Sequence, residues 1–295
     1  MSDFPSSIYS PRAIENRPGV VYDPDDTKTF FAEDLENANN EIVAIENALG
    51  ENLGNIALNG WRAIATIPTR QASDDPVYTL RFGADMTALL AVGQRIKFTQ
   101  NGTTRYFIVV SVGGYSGGNT DVDVYGGTDY DVADTSSYAI SDIFFSVMKA
   151  PFGFPLDPAK WTYEYTNNGS DSTQSNPTQN QYYNPGSISI AIPKGCWRIE
   201  IMCELRAARA SAGSLGVYAG LSTANNSLSW GASRINAYNP STTAMYLTLS
   251  RFLRLNLAAK TTYYLVICAT EASATIIGFS NSNSDTIIRA VCAYL

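Results

Sequence analysis

Trp197-Arg198-Ile199-Glu200-Ile201-Met202-Cys203-Glu204-Leu205 decides the fold class. Trp197, Ile199, Ile201, Cys203 and Leu205 alternate with Arg198, Glu200, Met202 and Glu204, the period of two of a strand with one face in a core. Just upstream, Ile188, Ile190 and Ile192 alternate with small or polar residues in the same way. Downstream, Ser214 to Leu221, Ala244 to Leu257, Tyr263 to Thr270, Thr275 to Ser280 and Thr286 to Tyr294 read as further strands, separated by Asn, Ser, Gly and Pro turns. About eight strands in so short a stretch suit a jelly-roll-like β-sandwich over residues 186–295. The terminal strand is apolar enough to be paired in the sheet.

Residues 58–165 read as a second β domain, a small barrel or sandwich. Trp61 to Ile67 and Val77 to Phe82 alternate, and Arg95 to Thr99 and Tyr106 to Val112 flank the turn Gln100-Asn101-Gly102-Thr103, a hairpin signal. Asp85 to Leu90 suggests one short helical turn, Asp121 to Tyr125 a strand, and Tyr138 to Met148 a closing strand. The run Ala150-Pro151-Phe152-Gly153-Phe154-Pro155-Leu156-Asp157-Pro158 predicts a rigid connector. Residues 166–185, rich in Asn, Ser, Thr, Gln and Gly, predict a polar linker or long surface loop.

The start of the chain differs. Pro5, Pro11, Pro18 and Pro24 exclude a lasting helix or central strand, so residues 1–28 are expected to form an extended arm. From about Thr29 to Leu49 the period becomes helical: Phe31, Leu35, Ala38, Ile42, Ile45 and Leu49 follow at spacings of four and three, and Gly50 is placed to end the helix. An ordinary amphipathic helix and a coiled-coil seam both fit this stripe. The Pro-rich flank before it and the Gly-punctuated flank after it offer no adjacent core, which favours an oligomer-interface helix within an attachment segment, residues 1–57.

The 295 residues contain 45% hydrophobic and 16% charged side chains, enough for more than one core. The chain has no histidine, which excludes imidazole-based catalysis and imidazole metal ligation. Lys and Arg number 20 against 27 Asp and Glu, a net charge of -7 with no basic block, so direct nucleic-acid binding is not expected. No signal-peptide h-region and no bilayer-length apolar run are present, so a soluble protein without membrane insertion is expected. The cysteines Cys196, Cys203, Cys268 and Cys292 form no Cys-x-x-Cys pair. Buried free thiols are the favoured reading, with a bridge from Cys268 to Cys292 or Cys203 left open.

Asp121-Val122-Asp123-Val124-Tyr125-Gly126 imitates the start of a calcium loop, but Tyr125 stands at the fifth place and Val132 at the twelfth, where a carboxylate is needed. A half-exposed strand accounts for the same alternation. Glu200 and Glu204 share a predicted strand face, whereas Glu164 and Glu271 stand alone, which is no signature of a glycosidase pair. The Gly-rich stretches at 113–118 and 126–127 lack the helix and lysine of a phosphate loop. No catalytic, metal or cofactor residue is therefore assigned. Among the loop aromatics, Tyr115, Tyr125, Tyr218 and Tyr238 are the ligand-facing candidates, with packing at a subunit interface as the alternative.

Four stretches carry a family resemblance: Ile8-Tyr9-Ser10-Pro11-Arg12, Asn16-Arg17-Pro18-Gly19-Val20-Val21-Tyr22-Asp23-Pro24, Phe31-Ala32-Glu33-Asp34, and Glu41-Ile42-Val43-Ala44-Ile45-Glu46-Asn47-Ala48-Leu49-Gly50. Together they resemble the N-terminal attachment region of tailed-bacteriophage and prophage fibre or minor structural proteins. Lys149-Ala150-Pro151-Phe152-Gly153-Phe154-Pro155-Leu156-Asp157 also resembles phage structural proteins, and the C-terminal strand rhythm is similar to trimeric heads of the complement or tumour necrosis factor type. The resemblance implies a non-enzymatic homotrimeric virion protein, assembled in the host cytoplasm as a tail fibre, head fibre or capsid decoration. Its implied partners are its own copies and other virion proteins of the capsid, portal, neck or tail, with a receptor-binding tip for host surface glycans as the alternative.

Overall fold

The computed structural model describes residues 59–167, 169–211, 213–228, 235–240, 242–280 and 285–295. The expected arm and the interface helix carrying Phe31, Leu35, Ala38, Ile42, Ile45 and Leu49 lie outside these residues. The chain divides into two compact units, Met1–Arg62 with Ser146–Gly153, and Ala63–Phe145 with Phe154–Leu295. In the first, the described part is held by a buried indole: Trp61 Nε1 donates to the Phe152 carbonyl at 2.8 Å, and the Phe152 N–H donates to the Asn59 carbonyl at 2.9 Å.

The second unit is built of antiparallel sheets, and among the described residues no helix is long and apolar enough to cross a membrane. Its first half contains β1 (Arg62–Ala63), β2 (Thr69–Asp74), β3 (Val77–Phe82), β4 (Arg95–Gln100), β5 (Thr103–Val112), β6 (Thr120–Tyr125) and β7 (Ile140–Ser146). They form one sheet in the order β1-β7-β4-β5-β6-β3-β2. The two ends of that order do not pair, so the expected barrel is corrected to an open sheet. The predicted hairpin is present: β4 and β5 pair from Arg95↔Ile108 to Gln100↔Thr103. Its two-residue turn puts Asn101 at φ 50° and Gly102 at φ 70°, the left-handed pair that a tight hairpin requires.

One face of this sheet points its even-numbered β3, β4 and β6 residues and odd-numbered β5 and β7 residues into a core of Leu80, Phe82, Ile96, Phe98, Phe107, Val109, Val122, Val124, Ile143 and Phe145. Phe98 and Phe107 stack with centroids 4.8 Å apart. Each such fully buried side chain contributes about 1.5–3 kcal/mol of transfer free energy.

The second half contains β8 (Thr162–Asn167), β9 (Ser172–Ser175), β10 (Tyr182–Tyr183), β11 (Ser189–Ile192), β12 (Gly195–Arg209), β13 (Leu215–Ser222), β14 (Ile235–Asn239), β15 (Met245–Leu257), β16 (Thr261–Ala269), β17 (Ala274–Ser280) and β18 (Thr286–Cys292). Several are successive stretches of one course. β18 and β17 pair with consecutive lengths of β12, β8 and β9 run beside β18 and β17, and β10 and β11 both run beside β16. Numbered by course, one sheet has the order first, eighth, third, sixth, and the other second, seventh, fourth, fifth. The sheets meet where β12 faces β13 and β16 faces β17. Between them lie Trp197, Ile199, Ile201, Cys203 and Leu205 of β12 and Leu215, Val217, Ala219 and Leu221 of β13, all buried.

The expected linker at 166–185 is corrected, because it supplies β9 and β10 to the two sheets. Nor are the two halves joined loosely. The other face of the first sheet buries Tyr125, Ile108 and Val110, and the Tyr125 ring meets Trp197 at 5.3 Å and Trp161 at 5.7 Å, edge to face. Lys194 Nζ reaches Asp123 at 2.5 Å, and the Lys260 N–H donates to Asp74 at 2.8 Å. All four cysteines are free, so the bridge left open by the sequence is not formed.

Candidate functional site: a tyrosine-lined sheet face and an open strand edge

β13 and β14 present two of the four candidate tyrosines side by side. Gly216 opposes Tyr238 and Tyr218 opposes Asn236, so Tyr218 and Tyr238 are diagonal neighbours on the outward face of the sheet. In the same lateral row Tyr182 opposes Cys268, which opposes Tyr218. Tyr238 is 61% exposed and Tyr182 and Tyr218 are half-buried, so three phenol rings stand along one sheet face. Tyr182, one of the aromatics near polar loops in the sequence, joins this row because β10 pairs with β16.

Tyr115 is exposed, on the loop closed by the Ser116↔Asn119 bridge, away from the strands that carry Tyr218 and Tyr238. Tyr125 is corrected: it has no exposed surface, and burial among Trp161, Tyr163 and Trp197 drives its phenol pKa well above the ordinary value. It joins the two halves and cannot face a ligand.

The carboxylates of the calcium-like stretch are committed to cations. Asp121 accepts two hydrogen bonds from Arg81, both at 2.7 Å, and Asp123 accepts from Thr79 at 2.6 Å as well as from Lys194. Glu164 and Glu200 flank one guanidinium, Arg289, at 2.6 and 3.4 Å. The Arg289 hydrogen bond holds the Glu164 carboxyl below its usual range, the opposite of the upward shift a general acid needs. Glu204 is buried in the same strand.

The second feature is an edge. β15 pairs with β12 from Met245↔Ala207 to Leu257↔Gly195, and on its other side no strand pairs with it among the described residues. Leu247, Leu249 and Leu253 point to the same side as Leu205, Cys203 and Ile199, their partners in β12. The β12 residues are fully buried, whereas the three leucines are only half-buried. Arg251, opposite Ile201, stands in the same row between Leu249 and Leu253 and is half-buried too, so among the described residues this largely apolar row is only partly covered. A long strand edge of this kind is a template for pairing or packing with another chain.

No protein-family model matches the chain, and no curated protein sequence does. Among solved structures, PorU from Porphyromonas gingivalis is similar at 11% identity and a TM-score of 0.26 over 79% of this chain, which spans 24% of that protein. The tandem CBM22 domains of Xyn10C from Paenibacillus barcinonensis are similar at 10% identity and a TM-score of 0.25, over 77% of this chain and 92% of that one. The VP2 protein of infectious bursal disease virus, in derived T=1 particles, is similar at 14% identity and a TM-score of 0.25, over 79% of this chain and 62% of that one. Likenesses at these scores carry no argument about what the chain does.

Proposed function

We propose that the chain is a non-enzymatic structural subunit of a tailed-phage particle, a fibre or decoration protein that works as a homotrimer. Its C-terminal half reads as a jelly roll, supported by the course orders first-eighth-third-sixth and second-seventh-fourth-fifth. The virion assignment rests on the resemblance of the N-terminal residues, which would form the particle-proximal end. The observation that carries self-association is the half-buried row of Leu247, Leu249 and Leu253, interrupted by Arg251, on the open edge of β15. A sister copy laid along that edge would complete the burial. Light scattering at micromolar concentration is expected to give about three times the 32.0 kDa chain mass. Leu249→Glu is expected to lower that mass while the β-type circular dichroism stays. A monomeric wild-type mass overturns the proposal.

A second reading, recognition of host surface glycans, is favoured by the Tyr182, Tyr218 and Tyr238 face, because phenol rings stack on sugar faces and their hydroxyls find polar partners. Loss of cell binding in Tyr238→Ala with unchanged mass supports it, and undiminished binding removes it.

A further inference from the structure

The outward face of the six-stranded sheet carries two arginines in an arrangement that the assembly reading leaves without a role. Arg198 of β12 and Arg254 of β15 stand directly opposite each other in the antiparallel register, and both are exposed. Like charges placed this way destabilise a sheet pair. The next row places Glu200 opposite Phe252, and Glu200 would be the natural partner to relieve the repulsion. It is already engaged, because Arg289 reaches it at 3.4 Å and is itself held by Glu164 at 2.6 Å. Among the described residues neither Arg198 nor Arg254 has an ion pair or hydrogen bond through its side chain. Beside them Phe252 is 72% exposed. These groups and Val291, which lies opposite Arg198 on its other side, line a groove of about 430 Å³, within the size range of small-ligand sites.

We propose that this groove binds an anionic saccharide, its acidic group held between Arg198 and Arg254 and its ring face laid on Phe252. A carboxylate or sulfate accepts from two guanidinium groups in charge-assisted pairs, which offsets the mutual repulsion of the arginines. Phe252 supplies a flat apolar surface, and the oxygen of Glu200 that Arg289 leaves free accepts from a ring hydroxyl. A nucleic-acid backbone does not fit, since one cation pair on a chain of net charge -7 neutralises too few phosphates. The site lies on a different sheet from the tyrosine face; its Phe252 and Arg254 are on β15, on the face opposite to the half-buried leucines that the assembly reading uses.

The test is calorimetric titration of the full chain with a galacturonic acid trisaccharide, a sulfated galactose trisaccharide and a neutral galactose trisaccharide. At least one acidic sugar is expected to bind and the neutral one not to; which acidic sugar binds more tightly separates carboxylate from sulfate recognition. Arg198→Ala and Arg254→Ala are each expected to weaken binding at least about tenfold, and Phe252→Ala to weaken it. Without ligand, Arg254→Gln is expected to melt at the same temperature or higher, because a repulsive pair is removed. Absence of binding by the wild type, indifference to the arginine substitutions, or equal competition by inorganic sulfate overturns the proposal. So does a fall in oligomer mass in Arg198→Ala, which would make the face a contact between copies.

Discussion

Arg95 Nη2 donates to the main-chain carbonyl of Tyr294 at 2.9 Å, tying the fourth strand of the chain to its penultimate residue. The Arg95 side chain also donates to the Gly93 carbonyl at 2.7 Å and lies over the Phe154 ring at 4.8 Å, with no exposed surface. Burial lowers its pKa from the usual guanidinium value, but these acceptors keep the cation in place. Arg95→Met keeps most of the volume and leaves the partly buried Gly93 and Tyr294 carbonyls without these donors. A loss of about 2–4 kcal/mol in urea unfolding is expected. A loss below about 1 kcal/mol would show that the junction is held elsewhere.

Glu164 gives the chain an acid-sensitive contact. Its hydrogen bond from Arg289 depresses the folded carboxyl pKa below the ordinary 4.5. The contribution is therefore complete above about pH 4.5 and is lost as pH falls through the lower folded value. Both side chains are more than a third exposed, so solvent screening limits the pair to about 0–1 kcal/mol. Glu164→Gln is expected to flatten the acid side of the stability profile by that amount and to make no difference in 1 M salt. An unchanged slope between pH 5 and 3 would count against the contact.

The thiols are expected to be inert in the folded chain. Burial pushes Cys203 up to about 12 and Cys292 up to about 11, and Cys268 is buried as well. At pH 8 the thiolate fraction of Cys203 and Cys292 is negligible, and burial closes reagent access to all three. Ellman's reagent is expected to reach only Cys196, which is partly exposed, while all four react after unfolding in guanidinium. Fast modification of two or more native thiols would mean that the sandwich opens readily.

The strands that bury one clean face were legible, because Trp197 to Leu205 and Ile188 to Ile192 carry the period of two in their own residues. β9, with Ser172, Thr173, Gln174 and Ser175, carries no such pattern: as an edge strand it needs only backbone pairing with β17. β14 was missed for the same reason. Tyr125 misled because the Asp and Val alternation before it predicts a solvated face, whereas that face is covered by the second half and its carboxylates are matched by Arg81 and Lys194. Neither the Arg198 and Arg254 pair nor the half-covered leucines of β15 could be read, since both depend on the cross-strand register of β12 and β15, which are separated by two other strands in the chain.

Gly278 tests that edge pairing directly. It opposes Thr173 in β9 and Arg206 in β12, and a Cβ at this position would stand 2.3 Å from the Ser172 carbonyl oxygen and 2.7 Å from Thr173 Cα. Both obstacles are backbone, so no rotamer change can make room. The Ala variant must push β9 away, and with it Asp171, which accepts from Ser280 at 2.9 Å and from Arg206 at 2.8 Å. Overpacking of this kind costs about 1–3 kcal/mol. Gly278→Ala is therefore expected to lose that much in urea unfolding, with hydrogen-exchange protection falling over 172–175 and retained in β12. Full protection of the β9 amides in the variant would show that the two strands do not approach as closely as this register requires.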